Sequence, residues 1–152
     1  MPSEIANPNL ASQGELSARW AQDHMSALGR TLAKLQEARP LRDRRLAVCL
    51  HVTKETSVLV RGLQALGAEV ALAGANPLTT QDDIAAYLST VGVHVYAWRG
   101  ETPQEYYQCI RNILQRRPDA IMDDGADAHV TAHEQDPAAH PPLGGTEETT
   151  TG

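Results

Sequence analysis

The sequence is poor in cysteine and in basic residues, and both shortages exclude classes of protein. Two cysteines in 152 residues are too few for a disulfide framework, and they lack the Cys-x-x-Cys spacing of a metal site. The 13 basic residues are outnumbered by 19 acidic ones, which gives a formal net charge of −6. Because phosphate binding needs a basic face, this balance argues against nucleic acid as the main partner.

The sequence also lacks the patterns of targeting and membrane-spanning segments. Its first residues contain neither the basic region nor the apolar core of a signal peptide. Its apolar stretches are too short to cross a membrane. We therefore expect a soluble cytoplasmic protein with reduced cysteines and no membrane partner. The spacing Gly-x-Gly-x-x-Gly does not occur, so the chain gives no indication of a complete dinucleotide-binding domain.

Short apolar runs alternate with segments of helical periodicity along the chain. The predicted strands cover residues 46–50, 69–73, 94–98 and 120–122, and the predicted helices cover residues 15–38, about 54–66, 81–88 and 102–115. Two helices have clear start signals: Thr53 is a candidate N-cap, and Thr102, Pro103 and Glu105 form a capping box with proline at the first helical position. The alternation predicts an α/β fold, a Rossmann-like parallel sheet with flanking helices.

Polar residues follow each predicted strand, at the sheet edge where open α/β proteins bind ligands. These residues are His51, Thr53, Glu55, Asn76, Thr79, Thr80, Gln81, Arg99, Glu101, Asp123, Asp124 and Asp127. Ordinary structural roles are open as well: Thr53 as a helix cap only, Glu55 as a response to the helix dipole, and residues 123–125 as a simple turn. Adjacent carboxylates facing a histidine are, however, a typical acid–base arrangement. The residues thus predict a polar small-molecule site and leave its chemistry open.

Three histidines near the end of the sequence raise the question of a metal site. His129 and His133 lie four residues apart, as helical ligands can, and His140 follows. Neither a zinc-protease motif nor a cysteine accompanies them, so we expect no metal here. Prolines predict that residues 136–142 form a loop.

Five segments, in order along the chain, resemble signatures of the adenosylhomocysteinase family. They are Cys49-Leu50-His51-Val52-Thr53-Lys54-Glu55-Thr56, Asn76-Pro77-Leu78-Thr79-Thr80-Gln81-Asp82-Asp83, Tyr96-Ala97-Trp98-Arg99-Gly100-Glu101-Thr102, Asp123-Asp124-Gly125-Ala126-Asp127 and Glu147-Glu148-Thr149-Thr150-Thr151-Gly152. The resemblance implies an N-terminal extension over residues 1–14. It also implies that residues 15–152 belong to the family's substrate-binding domain, the part that precedes its NAD-binding domain.

The resemblance also implies a reaction, the reversible hydrolysis of S-adenosylhomocysteine to adenosine and homocysteine with NAD as cofactor. Family members are homo-oligomers, typically tetramers. The resemblance implies proton transfer and substrate contact for His51 and Asp124. It implies that Thr53 and Glu55 bind adenine and the neighbouring parts of the nucleoside, and that Gln81 lines the pocket. Glu148 is implied to bind the ribose hydroxyls, and Thr149, Thr150 and Thr151 to contact NAD. Residues 128–137 depart from the family pattern because alanine and polar residues replace several leucines, although His133 aligns with a family histidine. We expect weaker packing there.

The family's catalytic lysine and NAD-binding domain have no counterpart in these 152 residues. We therefore expect this polypeptide to be an N-terminal fragment that is inactive by itself. Two alternatives are a module that binds adenosine or adenosylhomocysteine without turnover, and a degenerate subunit that assembles with full-length chains.

Overall fold

The computed structural model describes residues 2–135 and 143–148, and five parallel strands form its centre. The strands are β1 (Arg45–Leu50), β2 (Glu69–Gly74), β3 (His94–Tyr96), β4 (Ala120–Asp123) and β5 (Gly144–Glu147). They lie in the order β3-β2-β1-β4-β5, and every neighbouring pair is parallel. The four predicted strands are confirmed. β5, whose residues are all exposed, has no counterpart among the predicted strands.

Helices cover both faces of this sheet. They are α1 (Ala11–His24), α2 (Ser26–Leu35), α3 (Lys54–Ala65), α4 (Asp82–Thr90), α5 (Pro103–Leu114) and α6 (Asp127–Gln135), preceded by a single 3-10 turn at Pro8–Leu10. Along β1, Val48 packs with α1, α3 and α4 on one face, whereas Ala47 and Cys49 pack with α5 and α6 on the other. Two buried layers therefore flank the sheet, as the predicted Rossmann-like α/β fold requires. No helix within the described ranges is long and apolar enough to span a membrane.

The local start and stop signals act as the sequence predicts. The Thr53 hydroxyl accepts a hydrogen bond from the Thr56 backbone N–H at 3.4 Å, and Thr102 and Glu105 form the complete capping box of α5. Gly67 follows α3 with φ +106°, where an added Cβ would lie 2.7 Å from the Cα of Arg42. Glycine is thus required there by both conformation and space.

The prediction of one helix over residues 15–38 was wrong, because two helices occupy this range. The chain breaks at Met25, with φ −106° and ψ 50°, between α1 and α2. α1 packs through Gly14, Ala18 and Ala21, and leaves Leu16 and Trp20 69% and 52% exposed. Small residues form the packed face because α1 lies very close to α4. A Cβ on Gly14 would overlap the backbone carbonyl of Asp83.

The N-terminal residues extend the sheet beside β3. The Glu4 backbone N–H donates to the Val95 carbonyl at 2.8 Å, and the Ala97 N–H donates to the Glu4 carbonyl at 3.1 Å. The edge formed by β3 is therefore partly covered, and the segment before α1 is tied to the sheet.

We predict that Gly14→Ala destabilises the protein by about 2 kcal/mol, since the added methyl group forces α1 away from α4. Gly29→Ala is the matched control, because Gly29 also lies within a helix but has nothing within 4 Å of an added Cβ. This control is expected to stabilise by up to about 1 kcal/mol through helix propensity. Urea unfolding followed by circular dichroism measures both, and equal stability of Gly14→Ala and the unmodified protein would contradict the packing described.

Candidate functional site

His51 follows β1 and is held between two side chains from neighbouring loops. Its Nδ1 lies 2.6 Å from the Thr79 hydroxyl, and its Nε2 lies 3.3 Å from Oδ2 of Asp124. The Thr79 hydroxyl donates its proton to the Asn76 carbonyl at 3.0 Å. In this arrangement its oxygen can accept a hydrogen bond from Nδ1–H. A proton between Nε2 and the carboxylate would complete a hydrogen bond between them. His51 and Asp124 are thus arranged to share and exchange a proton.

Asp124 occupies a loop between β4 and α6 that has an unusual backbone. Gly125 and Ala126 have φ of +92° and +66°, the left-handed region that is unfavourable for alanine. The preceding residue, Asp123, is fully buried. Its carboxylate accepts the backbone N–H of Asp124 at 3.0 Å and that of His129 at 2.9 Å. Asp123 therefore fixes the loop and caps the first turn of α6.

The start of α3 brings three further predicted residues to the same sheet edge. Thr53 caps the helix, as the structural interpretation of this residue predicted. The Gln81 side-chain oxygen accepts the Lys54 backbone N–H at 3.0 Å, which ties the loop before α4 to the start of α3. Glu55 points its half-exposed carboxylate towards Lys54 Nζ at 3.9 Å, and that ammonium group lies 4.4 Å from the centre of the Trp20 ring. The Glu55 carboxylate is thus a hydrogen-bond acceptor that solvent and ligands can reach at the start of α3.

Glu148 lies at this edge because the sheet continues into β5. Its backbone N–H donates to the Asp123 carbonyl at 2.9 Å, and its side chain is exposed. Thr149, Thr150 and Thr151 lie outside the described residues. The structure thus joins His51 directly to Asp124 and Thr79, Gln81 to the start of α3, and Glu148 to the site through the backbone of Asp123.

The family model described as S-adenosyl-L-homocysteine hydrolase matches residues 2–152 of this chain. The chain belongs to that family. The match supports the resemblance drawn from the five sequence signatures.

Named relatives within the family act on two related substrates. The chain is 51% identical over its whole length to an adenosylhomocysteinase of Sulfolobus acidocaldarius, of which it covers 36%. It is 49% identical, again over its whole length, to an adenosylhomocysteinase of Sulfurisphaera tokodaii, of which it also covers 36%. Over 97% of its length it is 50% identical to an S-inosyl-L-homocysteine hydrolase of Methanopyrus kandleri, of which it covers 35%. The chain therefore spans about a third of the length of these relatives.

Two residues of the family signatures turn away from His51. Asp127 accepts hydrogen bonds from the hydroxyls of Tyr106 at 2.9 Å and Tyr107 at 3.3 Å, and so fastens the start of α6 to α5. Glu101 is 6% exposed, and its Oε1 accepts the Trp98 backbone N–H at 2.9 Å. Both carboxylates thus hold loops in place. Both follow predicted strands, and the order of strands does not determine the direction of a side chain.

Buried groups near the site are kept protonated. Burial, aided by the negative charge of Asp123, raises the pKa of the Cys49 thiol well above its usual value. Burial likewise raises the pKa of Tyr106. Cys49 is therefore a small core residue, as its position in an apolar run predicted, and unsuited to act as a nucleophile.

The histidines of α6 have ordinary structural surroundings. His129 Nε2 lies 3.2 Å from the Thr146 carbonyl and His133 is exposed, while His140 lies outside the described residues. Within the described part of the chain, no group of three or more His, Cys, Asp or Glu side chains could hold a metal ion.

Glu101 gives a pH dependence with a defined sign. Burial raises the pKa of Glu101 from 4.5 to about 7, so between these values the folded protein holds a proton that the unfolded chain releases. The free energy of unfolding should therefore fall as pH rises through this window. Glu101→Gln keeps the acceptor for Trp98 and cannot ionise, so its stability advantage should grow from pH 4 to pH 8 by at most about 3 kcal/mol.

Chemical unfolding at a series of pH values measures this effect. Glu15→Gln, which removes a half-exposed carboxylate on α1, is the control, and its stability should vary with pH as that of the unmodified protein does. If the stability of Glu101→Gln varies with pH as that of the unmodified protein does, from pH 4 to pH 8, Glu101 does not hold the extra proton.

Proposed function

We propose that the protein takes part in the reversible hydrolysis of S-adenosylhomocysteine to adenosine and homocysteine. The observation that carries this proposal is the contact between His51 and Asp124 at the carboxyl edge of the sheet, with Thr79 fixing the other ring nitrogen. Family membership supplies the class of substrate, and the contact supplies the acid–base pair that such a reaction needs.

His51 and Asp124 would transfer protons at the 4′ and 5′ carbons of the nucleoside. With Nδ1 bound to Thr79, the imidazole keeps its orientation while Nε2 gains or loses the proton that it shares with the carboxylate. The His51 side chain is 42% exposed and that of Asp124 is 18% exposed, so the imidazole is the more accessible member towards the crevice. We therefore assign direct contact with the reacting carbons to His51, and storage of the proton and activation of water to Asp124.

The nucleoside would lie across the sheet edge between α3 and β5. Thr53 and Glu55 at the start of α3 would bind the base, Gln81 would line the pocket beside them, and Glu148 at the end of β5 would accept hydrogen bonds from the ribose hydroxyls. A carboxylate accepts and does not donate, so Glu55 suits the exocyclic amino group of adenine. The corresponding atom of hypoxanthine is a carbonyl oxygen, which Glu55 would repel. We infer a preference for the adenosyl over the inosyl substrate.

NAD is the cofactor that we propose from the family, with Thr149, Thr150 and Thr151 as its contacts. When bound, it would accept hydride from the 3′ carbon of the ribose and so acidify the 4′ hydrogen. The described residues fit the nucleoside and not the cofactor's pyrophosphate, because Glu55, Asp124 and Glu148 are acidic at this edge and would repel phosphate. The acid–base roles above therefore concern the substrate alone.

Calorimetric titration of the protein with adenosine and with inosine tests the proposal. Adenosine should bind more tightly than inosine, and Glu55→Gln should weaken adenosine binding about tenfold, because a hydrogen bond to a charged group is lost. Glu15→Gln, which alters a carboxylate near the start of another helix, should leave both affinities unchanged. The absence of any heat at millimolar adenosine would overturn the proposed function, and tighter binding of inosine would assign the chain to the other substrate.

A further inference from the structure

Two carboxylates that have no part in the proposed proton transfer bind consecutive backbone amides of the loop that carries Asp124. Asp123 accepts the N–H of Asp124 at 3.0 Å. Glu147, at the end of β5, accepts the N–H of Gly125 through Oε1 at 3.1 Å. The loop is therefore held from β4 on one side and from β5 on the other.

The backbone of this loop explains why it needs such support. Gly125 and Ala126 are both in the left-handed region, and a conformation of this kind at alanine persists only where surrounding contacts impose it. Without the two carboxylates, the amides of Asp124 and Gly125 would lose acceptors that help hold this geometry, and the Asp124 side chain would no longer be directed towards His51.

Asp123 also connects the loop to the rest of the site. Its second oxygen accepts the His129 N–H at 2.9 Å, and its carbonyl accepts the Glu148 N–H at 2.9 Å. In the sheet it pairs with Cys49, two residues before His51, and with Glu147. One buried residue thus links the positions of His51, Asp124 and Glu148.

We propose that Asp123 and Glu147 are positioning residues, which orient Asp124 towards His51 by binding the backbone amides of its loop. The inference rests on the proposed function, since it concerns the acid–base pair of that reaction. A purely structural role for Asp123, as the cap of α6, would affect stability and leave the geometry of Asp124 unchanged.

Two variants and two controls separate these roles. Asp123→Asn replaces one acceptor oxygen by an amide group that faces a backbone donor. Glu147→Ala removes the second support from an exposed position, where the change should leave folding intact. Asp119→Asn is the control for Asp123, because Asp119 also accepts a backbone N–H, that of Arg45 at 2.8 Å, but at the opposite end of β4. Glu15→Ala is the control for Glu147, because it removes a half-exposed carboxylate on α1 that binds the Arg19 side chain and no backbone amide of the loop.

Nuclear magnetic resonance of the ligand-free protein gives the first measurement. Asp123→Asn and Glu147→Ala should both move the resonances of the Asp124 amide and the His51 ring, and the two controls should move neither. Adenosine titration gives the second, where both variants should weaken binding about tenfold or more, as expected when a site group is displaced by a fraction of an ångström. The controls should bind as the unmodified protein does.

Each result supports or overturns the inference. Unchanged His51 signals in Glu147→Ala and in folded Asp123→Asn would overturn it, and so would an equal loss of affinity in Asp119→Asn. If Asp123→Asn does not fold, Glu147→Ala decides alone. If the unmodified protein does not bind adenosine, the proposed function fails, while the resonance measurements still show whether the two carboxylates position Asp124.

Discussion

Asp123 places a carboxylate in the interior of the protein, where a charge without partners would be costly. The structure meets this cost with backbone donors, one on each oxygen, and with the positive end of the α6 dipole. Because those donors come from the loop and from the helix that follow β4, their positions are tied to that of the carboxylate. The elements at the carboxyl edge therefore depend on one another through this residue, and the contact between His51 and Asp124 is a consequence of that dependence.

The packing of the sheet explains how the edge stays fixed while its loops remain polar. On the face that carries α5 and α6, β1 and β2 present the small residues Ala47, Cys49, Ala71 and Ala73. Large side chains from α5, such as Tyr106, fill the space above them, and the Tyr106 hydroxyl reaches Asp127 at 2.9 Å. A rigid layer of small and aromatic residues thus supports the start of α6, so the polar loop needs only a few directed hydrogen bonds.

The elements that could be predicted from the sequence are those whose signal is local. Four strands are apolar runs, and the Thr102 capping box is a complete motif within four residues. β5 could not be predicted in this way, because Gly144-Gly145-Thr146-Glu147 contains no apolar residue and is a strand only through pairing with β4. α6 lacks a strong apolar face, and the side chain that caps it belongs to Asp123, four residues before the first residue of the helix.

The same distinction applies to the site. The rule that ligands lie beyond the carboxyl ends of strands correctly brought His51 close to Asp124, since both follow adjacent strands of the sheet. Glu101 and Asp127 follow strands as well, but their carboxylates accept hydrogen bonds from the Trp98 backbone and the hydroxyl of Tyr106. Strand order determines where a residue lies, whereas nearby donors determine where its side chain points, and those donors come from distant parts of the sequence.

Burial then decides which of the neighbouring groups can exchange protons. Burial raises the pKa of Cys49 and of Tyr106, and brings that of Glu101 to about 7, so Cys49 and Tyr106 stay protonated at neutral pH. His51, by contrast, is 42% exposed and has a carboxylate on one nitrogen and a hydroxyl on the other. Of these groups, His51 alone combines access to the crevice with a fixed partner for its proton. Depth thus distinguishes the half-exposed His51 from the buried Cys49 and Tyr106, although all three lie at or near one edge of the sheet.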